Sequence, residues 1–176
     1  ARPWGCWSPD GKQISCLSLK GIEIIDVATG TIRRRMKRAG YFQQLFWSPD
    51  GKWFCGTANV GGELWTIVRM DVTSGRWSVV SRFRNCTPDW FPDSKHVIFS
   101  NRPANQAKYG WTQLWMAPGD GSSRRMIYGE DGRHIYGGAL SPDGRYVLFT
   151  RCPKDGGGSE RDGAPGGLMR LADAPI

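Results

Sequence analysis

Four copies of one proline-aspartate turn, a surplus of Gly and Trp, and the lack of any helical period predict an all-β chain, a run of four β-propeller blades. The copies are Trp7-Ser8-Pro9-Asp10-Gly11-Lys12, Trp47-Ser48-Pro49-Asp50-Gly51-Lys52, Trp90-Phe91-Pro92-Asp93-Ser94-Lys95 and Leu140-Ser141-Pro142-Asp143-Gly144-Arg145. Their prolines stand 40, 43 and 50 residues apart, a period that belongs to propellers and solenoids. The 24 glycines and 9 tryptophans suit short strands joined by tight turns.

Each copy is chemically a turn. Pro presets φ, Asp accepts a bond from backbone two residues on, and Gly tolerates positive φ. Ser94 replaces Gly in the third copy, so that turn is expected to differ or to be strained. A second strand follows each turn, at 13–17, 53–57, 96–100 and 146–150. Val97-Ile98-Phe99 and Val147-Leu148-Phe149 are apolar at consecutive positions, as in strands covered on both faces. Third strands are predicted at 22–27, 64–72, 114–117 and 168–172. Asp26-Val27-Ala28-Thr29-Gly30, Asp71-Val72-Thr73-Ser74-Gly75 and Pro118-Gly119-Asp120-Gly121 then supply hairpin turns. Fourth strands follow at 32–36, 77–83 and 125–128. Four antiparallel strands make one blade, which divides the chain into blades 1–38, 39–84, 85–130 and 131–176, the last incomplete.

Trp-Ser-Pro-Asp-Gly-Lys, then an apolar strand, then Asp-x-x-Thr-Gly resembles the TolB-type β-propeller repeat, and the resemblance spans nearly the whole chain. Propellers of that kind have six or more blades. The sequence opens on the first strand of blade one and closes just after the third strand of blade four, without an outer strand for that blade. The expectation is therefore part of a larger propeller, with open faces on the first and last blades. A natural four-bladed ring and closure by a second copy are the alternatives. An open blade face is an apolar surface and an unpaired strand is a pairing template. The expected partner is thus the remainder of the same polypeptide or a protein subunit.

Strand direction sorts the connections. The proline-aspartate turns and the third-to-fourth turns share one face; the second-to-third loops and the blade-to-blade connections share the other. The latter holds the long irregular segments 101–110 and 151–167, and loops of that length carry function or stay disordered. Arg102, Asn105, Lys108, Tyr109 and Trp111 are candidate contacts, because Arg and aromatics dominate interface hot spots. Between blades, Arg84, Asn85, Arg133, His134 and Tyr136 are expected on the same rim, a basic and aromatic set suited to an acidic peptide or an anionic sugar.

Net charge is +8, and residues 1–85 hold 13 Lys/Arg against 6 Asp/Glu. The run 32–38 contributes most, and a solvated outer strand explains it better than nucleic-acid or other polymer binding. Five cysteines without a C-x-x-C pair give neither zinc spacing nor a disulfide framework. Cys16 and Cys55 fit as small hydrophobes inside strands. Two histidines, His96 and His134, cannot assemble a three-histidine metal site, and no H-E-x-x-H, G-x-S-x-G or Walker-type loop occurs. No cofactor or metal is expected, and no apolar run approaches a membrane span.

Three functions remain in view. The first is a non-catalytic protein-interaction scaffold resembling TolB, in a periplasmic or secreted setting, with the cytoplasm left open. The second is the non-catalytic propeller segment of a larger enzyme, since similar propellers precede prolyl-oligopeptidase-type catalytic domains or form sugar lyases. The third and weakest is anionic polymer binding through residues 33–38.

Overall fold

A computed structural model describes residues 5–37, 41–42, 44–82, 84–101, 112–153 and 166–171. Among them every regular element longer than a single turn is a strand. The first sheet takes β1 (Gly5–Trp7), β2 (Gln13–Ser18), β3 (Gly21–Asp26) and β4 (Ile32–Met36) in chain order. In the second, β5 (Tyr41–Phe42) and β6 (Phe46–Trp47) together form the first strand, pairing with β7 (Trp53–Val60), which continues to β8 (Glu63–Asp71) and β9 (Trp77–Ser81). The third holds β10 (Asn85–Trp90), β11 (His96–Asn101), β12 (Gln113–Pro118) and β13 (Arg125–Tyr128). The fourth holds β14 (Arg133–Leu140), β15 (Tyr146–Pro153) and β16 (Gly166–Arg170). All pairings are antiparallel, and residues 172–176 lie outside the described part. Each sheet is a propeller blade in chain order.

The turns work as their chemistry requires. Asp10, Asp50, Asp93 and Asp143 each accept the N–H two residues on, at 2.8–3.1 Å. Gly11, Gly51 and Gly144 sit at φ near +70°. Ser94 adopts the same turn at φ 57° and donates its N–H to the Phe91 carbonyl, as the glycines do to Ser8, Ser48 and Ser141. The third turn is therefore strained rather than different, because a Cβ in the left-handed region is disfavoured. Phe91 also replaces the serine whose Oγ accepts the N–H that opens the second strand in the other copies. Here Asp93 takes over, accepting the His96 N–H at 3.0 Å while its other oxygen meets the His96 ring at 2.6 Å. His96 is a structural residue.

Three apolar cores lie between successive sheets. Ile22, Ile24 and Met36 of the first pack against Trp47, Phe54 and Met70 of the second. Cys55, Ile67 and Val80 then meet Trp90, Val97 and Phe99, and Ile98, Leu114 and Ile127 meet Ile135, Val147 and Phe149. Alternate side chains of one strand thus serve different interfaces: Phe54 faces back and Cys55 forward, Val97 back and Ile98 forward. The middle second strands β7 and β11 are buried on both faces, as their continuous apolar runs predict.

β15 departs from that expectation. Its Val147-Leu148-Phe149 reads like Val97-Ile98-Phe99, yet Leu148 is 55% exposed where Ile98 is wholly buried. Leu168, its cross-strand partner, is 71% exposed, and Trp7 at the other end is 58% exposed, whereas Trp47 and Trp90 are buried. The cause is position: no described element lies against those two faces.

Candidate functional site

The second strands run away from the proline-aspartate turns, so β7, β11 and β15 all end on the opposite, loop-bearing face. The first strands of neighbouring blades touch one another: β1 meets β6, β6 meets β10, and β10 meets β14. Polar side chains tie them together. Gln44 Oε1 accepts the Thr87 N–H at 3.1 Å, and Ser100 Oγ, 3.2 Å from Thr87 Oγ1, accepts the Gly137 N–H at 3.0 Å. Deeper, Trp90 Nε1 donates to the Phe46 carbonyl at 3.2 Å, and Asp89 Oδ2 accepts the Leu140 N–H at 3.2 Å. Burial pushes the Asp89 carboxyl up, offset in part by its bonds from Leu140 and Trp90.

The rim above this network is unevenly built. The β7–β8 hairpin is the longest among the described residues, closed at Gly61-Gly62. A register shift between Ala58 and Val60 forces Trp65 to φ 59°, with its N–H bonded to Asn59 Oδ1 and its side chain 46% exposed. Arg84, on the connection to the next blade, is exposed at φ 50°, and Thr87 sits at φ 48° in a bulge of β10. Between them Asn85 is fully buried. Its Nδ2 donates to the carbonyls of Trp65 (3.3 Å) and Ser81 (3.0 Å), and its Oδ1 accepts Asn101 Nδ2 at 2.6 Å.

The sequence-derived candidates fare differently. Asn85 is no rim contact: its side chain is buried and its hydrogen-bonding capacity is used in clamping the Trp65 loop. Arg84 is on the rim and exposed. Arg133 lies there too, with Nε 2.8 Å from Glu130 Oε1, and Arg151 shares that carboxylate at 2.5 Å. Arg151 holds Glu130 below the usual carboxylate range. His134 Nδ1 accepts from the Thr112 N–H at 3.1 Å, and its ring stacks on half-exposed Tyr136 at 5.6 Å. Arg102, Asn105, Lys108, Tyr109 and Trp111 lie outside the described residues. Trp65 escaped the sequence reading. The one local signal, Gly61-Gly62 at a hairpin tip, marks the turn and not the bulge behind it.

The basic outer strand is partly neutralised locally. Arg33 pairs with Asp26 at 2.9 Å and Arg35 with Glu23 at 2.8 Å, while Arg34 donates to the Thr73 carbonyl. Among the described residues no group of three or more His, Cys, Asp and Glu side chains converges as a metal site would require. The cysteines are free, and burial pushes the Cys55 and Cys86 thiols up. No described helix is long and apolar enough to cross a membrane.

No protein-family model matches the chain, and no curated protein matches it. Among solved structures, TolB from Acinetobacter baumannii superposes with a TM-score of 0.73 at 23% identity over 98% of this chain and 41% of its own. An oligogalacturonate lyase from Vibrio parahaemolyticus matches with a TM-score of 0.65 at 17% identity over 87% of this chain and 47% of its own. A prolyl endopeptidase matches with a TM-score of 0.62 at 17% identity over 87% of this chain and 26% of its own. The chain thus spans less than half the length of each of these proteins. Four blades in chain order, three inter-blade cores and these superpositions define a TolB-like β-propeller fold.

Proposed function

We propose that this chain is a non-catalytic β-propeller module that binds a protein partner through its loop-bearing face, in a periplasmic or secreted setting. The observation that carries the reading is the build of that rim. Exposed aromatic and cationic groups, Trp65, Arg84 and Tyr136, stand on backbone fixed from beneath by buried Asn85 and the inter-blade polar ties. Rigid Trp, Tyr and Arg side chains are the usual anchors of protein interfaces. The pair Arg133 and His134 extends the same surface in this reading. Affinity capture with the intact protein as bait, at low salt, is expected to retrieve a partner that an Arg84→Ala/Arg133→Ala double variant retains poorly. An empty capture, or undiminished capture by the double variant, counts against it.

A second reading makes the chain the propeller segment of a larger enzyme, and the superpositions on a prolyl endopeptidase and an oligogalacturonate lyase favour it. The parent gene decides between the two. A downstream segment with a G-x-S-x-G nucleophile elbow would assign the propeller to substrate selection ahead of a catalytic domain. In either reading the open blade faces at Trp7 and at Leu148 take further blades of the same polypeptide or a protein partner.

A further inference from the structure

We propose that Trp65 and Arg84 form one recognition point for an acidic-apolar peptide segment, an apolar side chain lying on the indole and a neighbouring carboxylate on the guanidinium. This rests on the protein-binding reading and names the chemistry of the partner. Among the described residues four non-glycine ones have positive φ, and three of them (Trp65, Arg84 and Thr87) gather at this corner between the second and third blades. A β-branched, an aromatic and a long cationic residue are all poor occupants of the left-handed region, and such strain persists only where surrounding structure enforces it. Here the enforcement is visible. Asn85, wholly buried, is adjacent to Arg84 in sequence and bonds the Trp65 carbonyl. Asn59 holds the Trp65 N–H, and Gln44 holds the Thr87 N–H. The result is to leave a large aromatic and a cation exposed on rigid backbone.

Charge selects the partner. Among the described rim residues Arg82 is bridged to Glu63 at 2.8 Å, and Arg133 and Arg151 share Glu130. Arg84 has no ion pair with a described residue. Arg84 is thus a cation with no described carboxylate partner, at the corner where Asn85, its neighbour in sequence, bonds the carbonyl of exposed Trp65. A polyanion such as a polyuronate or nucleic acid is met by rows of unpaired cations; a single cation beside an aromatic ring matches one carboxylate next to one apolar side chain.

The test uses the full chain with a fluorescein-labelled twelve-residue peptide alternating Glu with Leu and Phe, its Lys counterpart, and polygalacturonate as competitor. Fluorescence anisotropy is expected to show binding of the acidic peptide alone. Trp65→Gly and Arg84→Gly should each weaken it by about tenfold or more, while Lys12→Gln, on the exposed proline-aspartate turn of the opposite face, leaves it within about twofold. The strain argument adds a second readout: both glycine variants should keep or raise the melting temperature, which loss of a structural residue would not do. Failure of the wild type to bind the acidic peptide, undiminished binding by the glycine variants, their thermal destabilisation, or displacement by polygalacturonate at equal charge concentration overturns the proposal. Capture of a protein partner that persists through such a failure leaves the module's role standing and removes only this site.

Discussion

Asp89 shows how one side chain joins a blade to the next. It stands on the first strand of the third blade and accepts the Leu140 N–H of the fourth, a backbone donor that would otherwise be left without a protein partner. Asp89→Asn keeps an acceptor in place and should be tolerated, whereas Asp89→Ala should cost about 1–3 kcal/mol in urea unfolding. The two carboxylate environments have opposite pH signatures. Burial raises Asp89, so the unfolded chain releases its proton first, and its contribution to stability falls as pH rises through the folded-state value. The turn carboxylates behave the other way. Hydrogen bonds from Ser8 and the Lys12 N–H hold Asp10 below the usual range, and those from Ser141 and Arg145 do the same for Asp143. Their contribution is complete above about pH 4 and is lost as pH falls below it. A melting series from pH 6 to pH 2 should decline steeply in its acid half, and Asp89→Asn should leave that decline in place. A decline that vanished in Asp89→Asn would mean that Asp89 is held below the usual carboxylate range rather than above it.

At the scale of the element, the third turn tests the repeat. Ser94 bears left-handed strain of about 1 kcal/mol, but its Oγ also accepts the Asp50 N–H of the preceding blade's turn at 3.0 Å. Ser94→Ala keeps the strain and loses the bond, so it should destabilise by about 1 kcal/mol. Ser94→Gly loses the bond and the strain together, and should lie close to the wild type. Turn order, strand order and the left-handed position were legible in the residues because they depend on local chemistry: a preset φ, an aspartate bonding two residues on, a position open to Gly. The rim was only partly legible. Arg84 follows from its place on a blade connection, but the burial of Asn85 depends on Trp65, Ser81 and Asn101 arriving from three different strands or loops. Trp65 was hidden for a related reason, since its exposure arises from a register shift against β7 that no spacing encodes. Likewise Val97-Ile98-Phe99 and Val147-Leu148-Phe149 are near equivalents in sequence and differ only in what lies against them.

Across the whole molecule, stability comes from stacking. Each blade is thin, and its apolar side chains are buried only by the blades on either side. The two middle sheets are covered twice and the outer two once, which leaves Leu148 and Leu168 as a cross-strand apolar pair on an open face. Leu148→Lys/Leu168→Lys should therefore change stability by only about 0.5 kcal/mol per site, while suppressing self-association of the chain in sedimentation velocity. A large loss of stability would mean that the face is covered.

Hydrogen–deuterium exchange of the free chain, resolved by strand, probes this stacking most directly, because protection follows local burial and pairing. The slowest exchange is predicted in β7 and β11, with β2 and β15 opening faster at every time point. Equal protection in all four second strands, or greatest protection in β15, would contradict a stack of four blades held by three interfaces.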